Sequence, residues 1–337
     1  MAPTITRGAT RNTHTHGPEP TKVCAQRNGD LESKQSPSRV ILVRPHQFTP
    51  NPLTETDNRF QSTPSGDPDQ VAQAAFDEVT NLERTLHRLG LGVTVFEDAT
   101  VETPDSVFPN NWFSTHDDGT VVIYPMHAPN RRAERREDIV SHLNRSGVVT
   151  RIIDYSSAET DCMYLEGTGA MVLDHVHRIA YVCRSHRASL PVLDKFCDDL
   201  GFRALVFDAV DAFGSPVYHT NVLMSVGTNV SVIGAEMIRD EQQRAEVLET
   251  LRSTGREIID LQESQIHEFA GNCLEVVGAD GPTMIMSMTA EKALTPDQLN
   301  RMSRYVTIES VDVSTIESAG GSVRCMIAGN HLAPRSL

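Results

Sequence analysis

The sequence has no apolar stretch near the roughly 18 residues that a membrane-spanning helix needs, and no hydrophobic leader opens it. We therefore expect a soluble protein that does not insert into membranes. It also has no CxxC pair and no HExxH or HxxxH pattern, so we predict neither a metal site nor a cofactor. Its six cysteines lie far apart and predict reduced thiols in a cytoplasmic protein.

Positive charge is also scarce. The 337 residues include 30 Lys and Arg against 45 Asp and Glu, for a formal net charge of -15. A surface of this sign repels nucleic-acid phosphates and anionic lipids. A small-molecule partner is therefore expected rather than nucleic acid or a membrane, and a homo-oligomer remains open.

Residues 1–38 contain hardly any apolar side chain and are rich in Thr, Pro, Gly, Ser and Gln. Such a composition cannot offset the entropy lost on ordering, so we predict a disordered tail. Residues 39–337 are long enough to bury a large core and are expected to form a single domain.

A repeated pattern of helix, short β run and polar segment runs through this domain. Amphipathic helices are predicted at residues 69–89, 131–145, 189–200, 235–252 and 294–305, the first four ending at or near a glycine. The β runs that follow them are 93–96, 150–153, 204–207, 257–261 and 306–311. The sequence is thus of the α/β class.

Polar residues mark the same point in each repeat: Asn110, Glu166, His219, Asn272 and Cys325, at intervals of 56, 53, 53 and 53 residues. Five units of strand, strand, helix and strand predict a closed propeller with pseudo-five-fold symmetry, since no unit buries its core alone. Equivalent positions then converge on one axis. A doubly wound sheet is the alternative, but no GxGxxG turn supports it.

Three of the converging residues have the types needed for nucleophilic catalysis. A Cys325 thiolate would attack a trigonal carbon, His219 would transfer protons, and Glu166 would orient the imidazole. Taken singly, each has a structural interpretation: a core thiol, a strand cap and a solvated acid. Their common position in the repeat favours catalysis, and the neighbouring Arg324 would lower the thiol pKa.

The other candidates define the polarity of the expected site. Asp105 and Glu166 would pair with substrate nitrogens, and neutral amides that donate and accept are offered by Asn110, Asn111, Asn221 and Asn272. Arg187 would bind a substrate carboxylate, although a surface arginine is an equal alternative.

A basic cluster consists of Arg131, Arg132, Arg135 and Arg136, diluted by acidic neighbours. We predict that it forms a solvated helix face without a role in the site.

Four ordered motifs resemble the pentein, or guanidino-group-modifying, superfamily: residues 104–108 (PDSVF), 165–167 (LEG), 218–219 (YH) and 320–326 (GGSVRCM). The resemblance spans about residues 39–333. It implies a five-bladed ββαβ propeller without a cofactor. It also implies Cys325 as nucleophile, His219 as general acid and base, Glu166 as its orienter, and Asp105 and Arg187 as substrate ligands.

Several carboxylates of relatives that act on a guanidinium are replaced by neutral residues here, notably Asn110, Asn111 and Asn221. The FPNNW and HTN motifs are similar to those of bacterial citrulline-utilisation hydrolases. We therefore expect hydrolysis of a C–N bond in a small ureido or guanidino amino acid, with citrulline converted to ornithine. An arginine deiminase, a dimethylarginine dimethylaminohydrolase, an amidinotransferase and a non-catalytic binding protein of the same fold are the alternatives.

Overall fold

The computed structural model describes residues 35–56, 58–64 and 66–335. Most of the predicted tail, residues 1–34, lies outside this part of the chain. Its last residues do not: Gln35 and Ser36 are buried and hydrogen-bonded. Residues 35–38, which the prediction assigned to the tail, therefore belong to the described structure.

Fifteen strands form five three-stranded sheets in the described residues. In chain order the strands are β1 (Arg39–Pro45), β2 (Gly92–Asp98), β3 (Phe113–Thr115), β4 (Thr120–Ile123), β5 (Arg151–Asp154), β6 (Met171–Asp174), β7 (Ile179–Cys183), β8 (Arg203–Phe207), β9 (Met224–Val226), β10 (Val230–Ile233), β11 (Glu257–Asp260), β12 (Leu274–Gly278), β13 (Gly281–Ser287), β14 (Thr307–Val311) and β15 (Ala328–Gly329).

Each sheet repeats one topology. The first strand pairs antiparallel with the second, and the second pairs parallel with the third, as in β3-β4-β5 and β6-β7-β8. A parallel pair needs a crossover, and a helical segment supplies it in every unit. The predicted five ββαβ blades are confirmed.

The helices are α1 (Pro68–Arg88), α2 (Glu137–Ser146), α3 (Gly167–Ala170), α4 (Leu190–Leu200), α5 (Thr220–Leu223), α6 (Glu241–Ser253), α7 (Glu263–His267), α8 (Met288–Ala293), α9 (Pro296–Met302), α10 (Ser314–Glu317) and α11 (Val323–Met326). The five crossovers are made by α1, α2, α4, α6 and the pair α8 and α9. The helices α1, α2, α4, α6 and α9 correspond to the five predicted helices, whereas α8 was not predicted.

Two predicted helices begin later than expected. The one predicted at 131–145 begins at Glu137, because Pro129 opens a separate 3-10 turn, Pro129–Glu134, and the next two residues are extended. The one predicted at 235–252 begins at Glu241, where Asp240 caps the helix by accepting a 2.8 Å hydrogen bond from the Gln243 amide.

The two ends of the described chain close the ring. Strand β15, near the C terminus, pairs antiparallel with β1, so one blade contains strands from both ends. The innermost strands of the blades are β3, β6, β9, β12 and β15. Residues from all five line one internal cavity, which places that cavity on the axis.

Ile41 tests the closing contact. It lies in β1 opposite Ala328 and packs in a buried cluster with Trp112 and Phe113 of the next blade. We expect Ile41→Ala to lower the free energy of unfolding by about 2–4 kcal/mol through the lost burial and the cavity left behind. Urea unfolding followed by circular dichroism measures the change.

Ile152→Ala is the matched control, since Ile152 also lies in a strand but is 48% exposed. It should cost less than about 1 kcal/mol. Equal losses in the two variants would contradict the importance of closure by β1 and β15.

Candidate active site

The chain delivers the candidate residues to the axis through short turns that precede the inner strands. Glu166 and His219 occupy the same position, each immediately before a one-turn helix, α3 or α5. Asn110 lies in the turn Pro109–Asn111, and Cys325 lies within α11. Because each turn leads into an inner strand, the residues meet at one end of the ring.

A small pocket opens at this end, with an empty volume of about 260 Å³ including its mouth. Its lining is Thr54, Asn58, Asp105, Phe108, Asn111, Arg131, Arg187, Tyr218, His219, Ala319, Gly321 and Cys325. Five of the nine predicted site residues therefore line one pocket. Thr54 and Asn58 come from the segment between β1 and α1.

Glu166 and His219 form a fully buried pair. The Oε2 atom of Glu166 lies 2.8 Å from Nε2 of His219, and Oε1 accepts a 2.9 Å hydrogen bond from the His127 amide. Burial lowers the pKa of His219 to about 4, although the Glu166 carboxylate opposes the shift. The imidazole is thus neutral at neutral pH and available to accept a proton.

Cys325 lines the pocket with its sulfur held by two amides. The Nδ2 groups of Asn221 and Asn272 each donate to Sγ at 3.3 Å. Burial raises the pKa of the Cys325 thiol, and the two amides and the Arg324 charge lower it only in part. Asn221 and Asn272 therefore contact the thiol rather than the open pocket.

Arg131 belongs to this site, which corrects the prediction of a solvated cluster. Its guanidinium is 2% exposed, makes two 2.9 Å hydrogen bonds to Glu134, and donates to Oδ1 of Asn111 at 3.1 Å. It also lies 3.5 Å from Asp105 and 3.7 Å from Glu166. The 3-10 turn that replaces the predicted helix start carries it inward.

Arg187 is also buried, so the alternative of a surface arginine is wrong. Its guanidinium lies over the Tyr218 ring, 4.9 Å from the centroid, and 3.4 Å from Oε2 of Glu166. With Arg187, Arg131 and His219 nearby, the pKa of Glu166 falls below its usual range even though burial opposes this.

Asp105 reaches the pocket but already has partners. Its Oδ2 accepts a 2.8 Å hydrogen bond from Nδ2 of Asn51 and faces Arg131. Burial raises the pKa of Asp105, and the Arg131 charge acts against that shift. The charge of the Asp105 carboxylate is therefore largely balanced by Arg131 before any ligand binds.

Asn110 lies apart from the other candidates. It is fully buried behind the pocket wall, and neither atom of its side-chain amide finds a hydrogen-bond partner among the described residues. Its backbone carbonyl accepts from the Thr168 hydroxyl at 3.2 Å. Glycine is required beside it, since a Cβ on Gly167 would lie 2.6 Å from that carbonyl oxygen.

The sequence analysis missed Asn51, Arg131 and Tyr218. Asn51 and Arg131 lie outside the repeated turns, so the repeat gives no signal for them. Tyr218 is adjacent to His219, and that position could have identified it.

The five described cysteines are free thiols. Within the described ranges, no group of three or more His, Cys, Asp or Glu side chains is arranged to hold a metal ion, and no helix there has the length and apolarity to cross a bilayer.

The geometry around Cys325 predicts how its reactivity depends on pH. Because burial raises the thiol pKa from the ordinary value of 9.0, alkylation of Cys325 by iodoacetamide should still accelerate above pH 9. Asn272→Ala removes a hydrogen bond to sulfur and should move the profile to higher pH. Mass spectrometry of the Cys325 peptide measures the rates.

Asn110→Ala is the control, since this buried amide touches neither the sulfur nor the pocket. It should leave the profile where it is. A wild-type rate that levels off below pH 9 would show that the pocket stabilises the thiolate more than these contacts account for.

Comparisons with known proteins agree with this fold. A family model described as "N,N dimethylarginine dimethylhydrolase, eukaryotic" matches residues 44–332. No curated protein sequence matches the chain.

Solved structures with the same fold include the N-terminal domain of ArgZ, an arginine dihydrolase of Cyanobacteria bound to substrate. The two chains are 16% identical over 86% of this chain and 97% of that one, with a TM-score of 0.66. Unliganded AgrE is 16% identical with a TM-score of 0.66, and the match covers 88% of this chain but only 40% of AgrE. A dimethylarginine dimethylaminohydrolase adduct with S-methyl-L-thiocitrulline is 16% identical over 86% of this chain and 98% of that one, with a TM-score of 0.58.

The family match covers most of the chain, and the structural matches share its ring of five ββαβ units. The chain therefore belongs to the eukaryotic N,N dimethylarginine dimethylhydrolase family, a family of guanidino-group hydrolases with the pentein fold.

Proposed function

We propose that the protein is a cysteine-dependent hydrolase that acts on the ureido group of citrulline and releases ornithine, ammonia and carbon dioxide. The observation that carries this proposal is the charge balance of the pocket. Three buried carboxylates, Asp105, Glu134 and Glu166, share two buried guanidinium groups, Arg131 and Arg187. Burial raises the pKa of Glu134 to about 8, so this side chain is largely uncharged at neutral pH and the remaining charges balance.

A cationic substrate fits this balance poorly. A buried guanidinium needs a carboxylate that is not already paired, and its desolvation otherwise costs several kcal/mol. Asp105 is held by Asn51 and Arg131. A neutral ureido group needs only donors and acceptors, and Asn111 has a side-chain nitrogen without a partner in the described residues.

In the proposed mechanism, Sγ of Cys325 attacks the ureido carbon and its proton passes to His219. The C–N bond then breaks, and the departing amine takes that proton from the imidazole. Water attacks the remaining S-linked carbonyl carbon, with His219 as the base. The C–S bond then breaks, the sulfur regains its proton from His219, and a carbamate is released. This carbamate breaks its remaining C–N bond in solution and gives carbon dioxide and the second amine. Glu166 holds the ring through Nε2 and stabilises the transient imidazolium.

The substrate's α-carboxylate is assigned to Arg187. Its guanidinium lines the pocket and lies over the Tyr218 ring, 4.9 Å from the ring centroid. A guanidinium can bind a carboxylate through two parallel hydrogen bonds. This arrangement suits an amino acid that enters with its ureido end towards Cys325.

Hydrolysis of arginine or a methylated arginine is the second candidate. The family match favours it, as do solved structures of AgrE in complex with L-arginine and with ornithine and NAD+. In this case Asp105 would have to exchange Arg131 for the substrate.

The first test incubates purified protein with citrulline, arginine and asymmetric dimethylarginine and identifies products by mass spectrometry. We expect ornithine from citrulline and its loss in Cys325→Ala. Asn111→Asp should raise the rate with arginine relative to citrulline by about tenfold or more, because it adds a charge complementary to a guanidinium. The variant should fold, since Asn111 already accepts a hydrogen bond from Arg131.

Cys197→Ala, which alters a half-buried thiol outside the pocket, is the control for the nucleophile. Asn229→Asp adds an exposed charge and controls for net charge. Citrulline formed from arginine or dimethylarginine by the wild-type protein, without ornithine from citrulline, would support the second candidate and refute the first.

A further inference from the structure

A second cavity lies along the axis beyond the catalytic pocket. The pocket is formed by the turns that precede the inner strands, whereas the cavity is formed by the strands themselves. Its empty volume is about 570 Å³ when the space at its opening to solvent is included. Gln35 closes part of it, donating to the carbonyl oxygens of Leu173 at 3.0 Å and Val226 at 2.9 Å.

Arg324 projects into this cavity and lacks a counterion. Within the described residues its guanidinium makes neither an ion pair nor a hydrogen bond, unlike Arg131, Arg187 and Arg256, which contact carboxylates at the axis or beside it. Arg324 is only partly exposed, and the burial of its side chain lowers its pKa because leaving water disfavours the charged form. A guanidinium in such a place ordinarily has an anionic partner.

The surrounding side chains suit an anion. The hydroxyl groups in the lining are uncharged and already hydrogen-bonded within the protein: Thr115 donates to the Gly329 carbonyl oxygen at 3.0 Å and Thr168 to that of Asn110 at 3.2 Å. His175 and His331 stack with ring centroids 4.3 Å apart, and burial together with the Arg324 charge keeps the pKa of His331 at about 4. Neutral imidazoles retain one N–H donor each.

Glu275 is the acidic group in the lining, and its charge is already satisfied. Its oxygens accept from the Ser36 hydroxyl at 2.6 Å and from the Thr228 backbone amide at 3.0 Å. It forms no ion pair with Arg324. The cation and the acid are therefore separate features of the cavity.

We propose that this cavity binds a small oxyanion, an inorganic oxyanion or the carboxylate of a small metabolite, through the guanidinium of Arg324. The imidazoles of His175 and His331 would supply further hydrogen bonds. Since Arg324 directly precedes Cys325, the bound anion would also reduce the positive field at the sulfur and slow the reaction of the thiol. This site is independent of the substrate proposed above.

Thermal unfolding tests the site without requiring activity. Sodium phosphate and sodium acetate, each titrated at constant ionic strength, represent the two sources of oxyanion. Binding to the native state should raise Tm by about 2–4 °C more in wild type than in Arg324→Gln. Phosphate stabilises many proteins non-specifically, so the test compares the Tm gain of wild type with that of Arg324→Gln. A Tm gain with phosphate alone indicates an inorganic oxyanion, and a Tm gain with acetate alone indicates a carboxylate.

Two further arginine variants serve as controls. Arg184→Gln removes an exposed arginine, and Arg187→Gln removes the one in the catalytic pocket. Both should respond to the anion like wild type, and Arg324→Lys should keep a weaker response. Equal Tm gains in wild type and Arg324→Gln, or a response lost in Arg187→Gln instead, would overturn the proposal.

The rate of Cys325 alkylation at fixed pH provides a second measurement. The anion that raises Tm should slow alkylation in wild type and leave the rate of Arg324→Gln unchanged. Slowing of both proteins would mean that the anion acts in the pocket near the thiol, and this too would overturn the assignment to Arg324.

Discussion

The charge of Glu166 is the constraint around which the centre of the ring is built. This carboxylate has no exposed surface, and a buried charge is tolerated only when its lone pairs are occupied. His219, the His127 amide and two guanidinium groups meet that requirement. Each comes from a different part of the chain, so the ionised acid ties together separate turns of neighbouring blades.

The same charge determines how the imidazole is oriented. With Nε2 of His219 bound to Glu166, the ring presents Nδ1 on its other side, towards Gly169 and Asn111. No larger residue fits there, because a Cβ on Gly169 would approach Asn111 Nδ2 to 2.3 Å and His219 Nδ1 to 2.8 Å. A glycine in α3 is thus part of the positioning of the proposed general base.

The carboxylates of the pocket are neutralised by arginines of the same protein, and this explains why the pocket differs from a simple cation-binding site. Arg131 satisfies Glu134, Asp105 and Asn111 together, and Arg187 faces Glu166. Acidic residues that a sequence alone suggests as ligands for a substrate nitrogen are therefore already paired. How strongly Asp105 and Glu166 attract a ligand depends on how many of these ion pairs the ligand displaces. That number is set by the three-dimensional arrangement of the charges and not by the sequence alone.

The sequence predicted the ring well because its signal is local and repeated. Glu166 and His219 are 53 residues apart since both precede the first turn that leads into an inner strand. Arg131 was mispredicted because its partners are distant in sequence and because Pro129 interrupts the expected helix. Asn110 follows the repeat but lies behind the pocket wall, since the repeat specifies the turn and not the direction of each side chain.

The short helix α11 shows how closely the two ends of the axis are connected. Successive residues of a helix point about 100° apart, so a turn that directs Cys325 into the catalytic pocket directs Arg324 elsewhere, here into the second cavity. Burial disfavours the thiolate, while Asn221, Asn272 and the Arg324 charge favour it. The Asn272 amide is also held by its 2.9 Å hydrogen bond to the Asn221 backbone carbonyl, whereas the strength of the Arg324 field depends on what occupies the cavity. The reactivity of the proposed nucleophile is therefore coupled to a space that the substrate does not enter.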